Sequence, residues 1–221
     1  MRTVIFDLDG TLADTSGDLI AAANACFQGL GLGTPLDPVR DQSTAFHGGR
    51  AMLRLGFDRI GPGYGEADID RQFPLLLDAY DAEIDRHTVL YPGVMDAIEA
   101  LRREGTAVGI CTNKPEYLAE KLLQRLGVRD VFASLVGADT LPQRKPDPTP
   151  YRAAVERAGG IFERSVLIGD TVTDRDTARN AGVPCVLVTF GPEGRAVADL
   201  APEALLDHYD DLGRVVGLLL P

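Results

Sequence analysis

The sequence predicts an α/β protein in which a parallel sheet with helices on both faces is interrupted by an inserted, smaller α-helical domain. Three observations lead there. Short, continuously apolar runs recur along the chain, helical stripes alternate with them, and residues 14–85 hold helical patterns with no convincing strand. Continuous apolar runs suit strands covered on both faces, and strand–helix alternation suits a parallel sheet.

The elements can be taken in order. Thr3–Phe6 is a β-rich run ending in Asp7-Leu8-Asp9-Gly10-Thr11, which reads as a buried strand opening into a tight loop. Helical stretches follow at Leu19–Leu30, Arg50–Ile60 and Ile69–Ile84. The Gly-rich segments Gly29–Gly33 and Gly61–Gly65 fit neither a P-loop nor a dinucleotide fingerprint and read as loops between helices. This block is assigned to a second domain, residues 14–85, folded over the C-terminal edge of the sheet. Residues 1–13 and 86–221 then form the main domain.

After the turn Tyr91-Pro92-Gly93, a stripe of Val94, Ile98 and Leu101 predicts a helix over 93–103, and Ala107–Cys111 reads as a strand. Over 115–126, Leu118, Leu122 and Leu126 repeat on one helical face between Pro115 and Gly127, with Pro at the start and Gly past the end as helices prefer. Further strands are expected at Val131–Val136, Val166–Ile168 and Cys185–Thr189. A helix over 149–158 shows Tyr151, Ala154, Val155 and Ala158 on one face and ends at Gly159-Gly160.

Composition narrows the function. The chain has 221 residues, 45% hydrophobic and 25% charged, with net charge -11. Such acidity opposes binding to nucleic acid or to anionic membranes. It also opposes a phosphorylated ligand, so a phosphate site must carry local positive charge. Cys26, Cys111 and Cys185 form no metal-binding pattern and read as free thiols, which with the absence of a secretory signal suggests a cytoplasmic protein.

Four segments carry chemistry, each at the C-terminal end of an expected strand or just beyond it, the edge where open α/β sheets bind ligands. Asp7 and Asp9 stand two residues apart; alone, such a pair reads rather as an Asx turn at a strand end. Asp170 and Asp174 follow the strand at 166–168; the segment reads as a helix cap at Asp170 or Thr171, or as oxygen ligands for Mg²⁺, Asp7 with Asp170 and Asp174 directly or through water. Thr112 and Asn113 end the strand from 107, where a hydroxyl and free N–H groups can hold phosphate oxygens. Lys145, stiffened by Pro146 and Pro148, is a surface lysine or a fixed countercharge for a phosphoryl group and Asp7.

Together and in this order, Asp7-Leu8-Asp9-Gly10-Thr11, Thr112, Lys145 and Gly169–Asp174 resemble the motifs of the haloacid dehalogenase superfamily of phosphohydrolases. The core is most similar to phosphoglycolate phosphatases, in Tyr91-Pro92-Gly93-Val94, Thr112-Asn113-Lys114-Pro115, Lys145-Pro146-Asp147-Pro148 and Val188-Thr189-Phe190-Gly191. The helical block resembles the family's cap, more loosely; its segment Phe46-His47-Gly48-Gly49-Arg50 departs from the family's pattern. The resemblance implies a Rossmann-like core and a Mg²⁺-dependent phosphatase of a small phosphorylated metabolite, 2-phosphoglycolate first, acting as a monomer or homodimer.

The resemblance also implies roles. Asp7 is the nucleophile, and Asp9 protonates the leaving oxygen and then takes a proton from water. Mg²⁺ is held by Asp7, Asp170, the Asp9 backbone carbonyl and Asp174, directly or through water. Thr112 and N–H groups near Asn113 bind phosphate, and Lys145 balances charge. Asp9 argues for phosphoryl chemistry, since dehalogenases of the superfamily need no acid for a leaving oxygen. Arg50 and His47 are candidates for the substrate's other end, Arg being suited to a carboxylate or second phosphate, although either also reads as a surface or packing residue. The alternatives are a phosphatase of a sugar phosphate or pyrophosphate, a phosphomutase, and a non-catalytic binding protein with the same fold.

Overall fold

The computed structural model describes every residue from Met1 to Pro221. The chain divides into two compact units, Met1–Ala13 with Leu90–Pro221, and Asp14–Val89. Along it run β1 (Thr3–Phe6), β2 (Ala13–Asp14), α1 (Ser16–Gly29), α2 (Gln42–Phe46), α3 (Gly49–Ile60), α4 (Glu66–Ala82) and β3 (Val89–Leu90). Then come α5 (Val94–Arg103), β4 (Ala107–Cys111), α6 (Glu116–Arg125), β5 (Ser134–Val136), α7 (Pro148–Arg157) and β6 (Ser165–Gly169). The last elements are α8 (Val172–Ala181), β7 (Cys185–Val188), β8 (Ala204–Leu206) and α9 (Leu212–Leu219).

The first unit is built on a six-stranded sheet of order β5-β4-β1-β6-β7-β8. Every neighbouring pair in it is parallel. β1 lies between β4 and β6, with Phe6 opposite Ile110 on one side and Ile168 on the other. The strand order reverses direction there, so the C-terminal ends of β1, β4 and β6 border the crevice that such sheets use for ligands. β1 is buried along its whole length, as a central strand covered on both faces must be.

The helices bury the faces their sequence stripes mark: Val94, Ile98 and Leu101 on α5; Leu118, Ala119, Leu122 and Leu123 on α6; Tyr151, Ala154 and Val155 on α7. Each fully buried aliphatic side chain contributes about 1.5–3 kcal/mol. α7 starts where Asp147 accepts from the Thr149 N–H at 2.8 Å, with Pro148 at the first helical position. α8 starts in a capping box between Thr171 and Asp174 and ends at Gly182 in the left-handed conformation.

The second unit is helical, with α1 packing on α3 and α4. Phe27 and Phe57 meet edge-on at 5.0 Å, and Ile20, Met52, Leu53, Leu76 and Tyr80 are buried around them. Buried Asp18 accepts from the N–H groups of His87 and Thr88 and from the Thr88 hydroxyl, all within 2.8–3.0 Å. That carboxylate ties the end of this unit to the first turn of α1.

Five elements differ from the sequence expectation. The strand expected at Val131–Val136 starts only at Ser134, because Arg129–Val131 winds into a 3₁₀ turn in which Arg129 donates to the Phe132 carbonyl at 2.9 Å. Periodicity cannot locate a strand end inside an apolar run. The short helix α2, the strand β8 and the helix α9 were not expected; β8 is three residues long and only its last is fully buried. The helix expected over 69–84 spans Glu66–Ala82 and continues through Pro74. The three cysteines are free, as expected, and all are buried. No helix is long and apolar enough to cross a membrane.

Gly56 offers a test of packing against propensity. A Cβ at Gly56 would stand 2.2 Å from Phe27 Cζ, and Phe27 has no exposed surface into which to retreat. Ala gains about 1 kcal/mol over Gly in helix propensity, whereas overpacking a tight core costs about 1–3 kcal/mol. Gly56→Ala is therefore expected to lower Tm in thermal denaturation, and a raised Tm would refute this account of the α1–α3 contact.

Candidate active site

The site is assembled from loops leaving β1, β4 and β6 and the turn before α7. The Asp7 N–H donates to the Ile168 carbonyl at 2.9 Å, which extends the β1–β6 ladder by one residue and sets Asp7 beside the loop that carries Asp170. The chain then turns sharply at Gly10, in the left-handed region at φ 79°. Glycine is required there twice over, because a Cβ would lie 2.1 Å from Asp170 Oδ2. Thr11 Oγ1 donates to Asp170 Oδ1 at 3.0 Å, and the buried Tyr209 hydroxyl donates to the Thr11 carbonyl at 2.8 Å.

Carboxylate oxygens of Asp7, Asp170 and Asp174 all lie within 4.8 Å of one another, and all three residues are buried. Asp174 is fully engaged. Its Oδ2 accepts from Thr171 N–H at 3.1 Å and Thr171 Oγ1 at 2.9 Å, and its Oδ1 accepts from Lys145 Nζ at 2.7 Å. Asp7 differs: its Oδ1 is buried with no directed hydrogen bond, although Lys145 Nζ stands 3.0 Å away. A buried carboxylate oxygen without a directed donor, inside an oxygen-only donor set, is what a hard divalent cation takes. The residues present fit such an ion, with Asp7 and Asp170 as its carboxylates.

Lys145 is 3% exposed and lies between Asp7 and Asp174. Its loop is held from two sides, the Asn113 Nδ2 donating to the Lys145 carbonyl at 3.0 Å and the Asn180 Nδ2 to the Pro146 carbonyl at 3.0 Å. The Lys145–Pro146 peptide is cis. A second buried lysine, Lys114, donates to Asp9 Oδ1 at 2.8 Å and Oδ2 at 3.0 Å. Asp9 is therefore turned to Lys114, and its carboxylate is not part of the acidic cluster.

Electrostatics follow from this packing. Burial pushes the Asp7 carboxyl up to about 6; Lys145 pulls it down, and Asp174 and Asp9 add to the rise. Burial also raises Asp170 well above the ordinary carboxylate range, with Asp174 and Asp7 adding to it. For Lys145, burial disfavours the ammonium, but Asp174 and Asp7 more than offset this and its pKa rises. The nearby Cys111 thiol is pushed up to about 12 by burial and has no nucleophilic role at neutral pH.

The structure thus brings together Asp7, Asp9, Thr112, Lys145, Asp170 and Asp174 in the first unit. Thr112 is buried, and its Oγ1 accepts the Lys114 N–H at 3.1 Å, which leaves the hydroxyl proton to be donated elsewhere. Asn113 is exposed, and its side chain serves the Lys145 loop. Arg50 and His47 belong to the helical unit. His47 is exposed at the end of α2, while Arg50 pairs with Asp70 and with Glu66 and stacks over Phe73 at 5.3 Å. Sequence reasoning missed Lys114, Thr11 and Tyr209. Lys114 and Thr11 stand beside or inside quoted motifs, so adjacency was the available signal; for Tyr209 there was none.

Comparison with known proteins agrees with this architecture. Residues 4–188 match the family described as haloacid dehalogenase-like hydrolase. Phosphoglycolate phosphatase from Agrobacterium fabrum is 38% identical over 205 residues, 93% of this chain and 88% of its own. The Caulobacter vibrioides phosphoglycolate phosphatase is 36% identical over 219 residues, 99% of this chain and 92% of its own. Among solved structures, a predicted phosphoglycolate phosphatase from Haemophilus somnus superposes with a TM-score of 0.85 at 23% identity over 97% of each chain. CbbY from Rhodobacter sphaeroides in complex with phosphate does so with a TM-score of 0.74 at 26% identity, over 96% of this chain and 97% of that one. The chain belongs to the haloacid dehalogenase-like hydrolase family.

Proposed function

We propose that this chain is a phosphatase that hydrolyses 2-phosphoglycolate through a phospho-aspartate on Asp7, with Mg²⁺ as its cofactor. The observation that carries this reading is the charge balance of the site. Four carboxylates, Asp7, Asp9, Asp170 and Asp174, face two buried ammonium groups, Lys114 and Lys145. With all of them ionised, two negative charges are left over, which a divalent cation neutralises before a phosphate dianion arrives. The choice of substrate is supported by the names of relatives 36–38% identical over nearly the whole chain.

Asp7 and Asp170, with the Asp9 backbone carbonyl, would hold Mg²⁺, which supplies charge neutralisation and orientation of the phosphate when bound. Asp174, taken up by Lys145 and the Thr171 cap, braces the other two. Lys145 keeps Asp7 ionised and still, offsetting the repulsion between a carboxylate and a phosphate. Thr112 donates its free hydroxyl proton to a phosphate oxygen. Asp9 gives a proton to the leaving oxygen in the first step and takes one from water in the second, so one positioned acid serves both. Arg50 and His47 of the helical unit are the candidates for recognising the substrate's carboxylate end; Arg50 would exchange Asp70 and Glu66 for it.

Two outcomes test the reading. Phosphate release from 2-phosphoglycolate is expected to need Mg²⁺, to stop with chelator, and to fall more than roughly 10³-fold in Asp7→Asn. In a panel with sugar phosphates, pyrophosphate and an aryl phosphate, a clear preference for another ester would move the substrate while keeping the mechanism.

The second outcome concerns stability without metal. The Asp7 pKa in the fold, about 6, lies above its ordinary 3.8. Between those values the folded chain binds the extra proton, so stability falls as pH rises through that window. The loss has a ceiling of about 3 kcal/mol at neutral pH. Asp7→Asn removes it, so the metal-free variant is expected to melt several degrees above wild type at pH 7.5, with a smaller gain at pH 5. A variant that melts no higher than wild type at pH 7.5 contradicts the assignment of Asp7 as a strained, buried charge.

A further inference from the structure

Lys114 is the buried cation of the site with no role yet. Its side chain is 3% exposed, and Nζ reaches both oxygens of Asp9, at 2.8 and 3.0 Å. Its backbone is fixed on both sides. The Lys114 N–H donates to Thr112 Oγ1 at 3.1 Å, and its carbonyl accepts the Ala138 N–H at 2.9 Å. Pro115 then caps α6. A lysine tethered at its base and buried along its stem has already lost most of its rotamer freedom, so its ammonium is preorganised. The two lysines divide the work: Lys145 serves Asp7 and Asp174, and Lys114 serves Asp9.

We propose that Lys114 is the positioning residue for Asp9, fixing the orientation of its carboxylate toward the reacting oxygen. This rests on the reading of Asp9 as the proton-transfer group. In the first step the bond from Asp7 oxygen to phosphorus forms and the bond to the leaving oxygen breaks. The proton on Asp9 passes to that oxygen and completes the alcohol. In the second step a water oxygen bonds to phosphorus and the Asp7 oxygen–phosphorus bond breaks. The water proton goes to Asp9, and inorganic phosphate leaves. An ammonium group can only donate. By reaching both Asp9 oxygens, Lys114 clamps the plane of the carboxyl group relative to the leaving oxygen in both steps. Without Lys114 the carboxyl rotates, and the proton is aimed at the leaving oxygen only part of the time.

The test exploits leaving-group dependence. An alkyl phosphate such as 2-phosphoglycolate needs its leaving oxygen protonated, whereas 4-nitrophenyl phosphate expels a stable phenolate and needs the acid far less. Lys114→Met is expected to lower kcat/KM, which reports the steps up to phosphoryl transfer to Asp7, roughly 10- to 100-fold on the alkyl ester and by a far smaller factor on the aryl ester, with KM little changed. In an Asp9→Asn background, Lys114→Met should cost little more, since the two residues act as a unit. Lys114→Arg retains the charge; it should show the same split to a smaller degree, and it carries the test should the Met variant not fold. Equal losses on both esters, a rise in KM alone, or additive losses with Asp9→Asn would each overturn the proposal. A wild-type protein that hydrolyses neither ester with Mg²⁺ would instead overturn the phosphatase reading beneath it.

Discussion

Lys145 holds two carboxylates, Asp7 and Asp174, at 3.0 and 2.7 Å in surroundings from which water is nearly excluded. Removing an ion from water costs several kcal/mol even after relaxation. Three buried aspartates within one small space are tolerable only if a fixed cation stands among them. Much of the neighbouring structure serves that ammonium group. Asn113 and Asn180 grip the loop from which it projects, and Asp174 can meet it because the Thr171 capping box has already oriented that carboxylate. Strain remains, as the raised Asp7 and Asp170 carboxyls record. A second lysine beside Asp9 follows the same logic one step outward.

The supporting frame extends well beyond the acidic residues. Thr11 orients Asp170, and Tyr209 in turn fixes the Thr11 carbonyl. Tyr209 packs on Phe190, which packs on Tyr91, at ring distances of 5.3 and 4.9 Å. An aromatic row running from Tyr209 through Phe190 to Tyr91 thus steadies the loop that follows Asp7. Tyr209 lies past residue 188, where the family match ends. Precision at the site therefore draws on residues that carry no catalytic signature of their own.

What was legible in the sequence was whatever lies in a contiguous stretch. Asp7-Leu8-Asp9-Gly10-Thr11 could be read because its chemistry sits in five successive residues, and the central strands because they are apolar on both faces. The contact between Lys114 and Asp9 joins residues 105 positions apart, and a linear pattern holds no trace of such a pairing. β8 was missed because it is short and only partly buried, so it has the composition of a loop. Asn113 was read for its backbone, whereas the fold uses its side chain amide to hold the Lys145 loop. For Arg50 the sequence showed a cation of suitable chemistry but not that Asp70 and Glu66 are already beside it.

The paired short strands β2 and β3 are the places where the chain leaves the sheet-bearing unit and returns to it. From the standpoint of the sheet, the whole helical block departs and comes back through neighbouring backbone positions, like the two ends of a single hairpin. Lengthening a loop with adjacent ends adds little closure entropy, about 0.6 kcal/mol per doubling. The block can accordingly be enlarged, replaced or redesigned over evolutionary time without disturbing the register of β1 against β4 and β6.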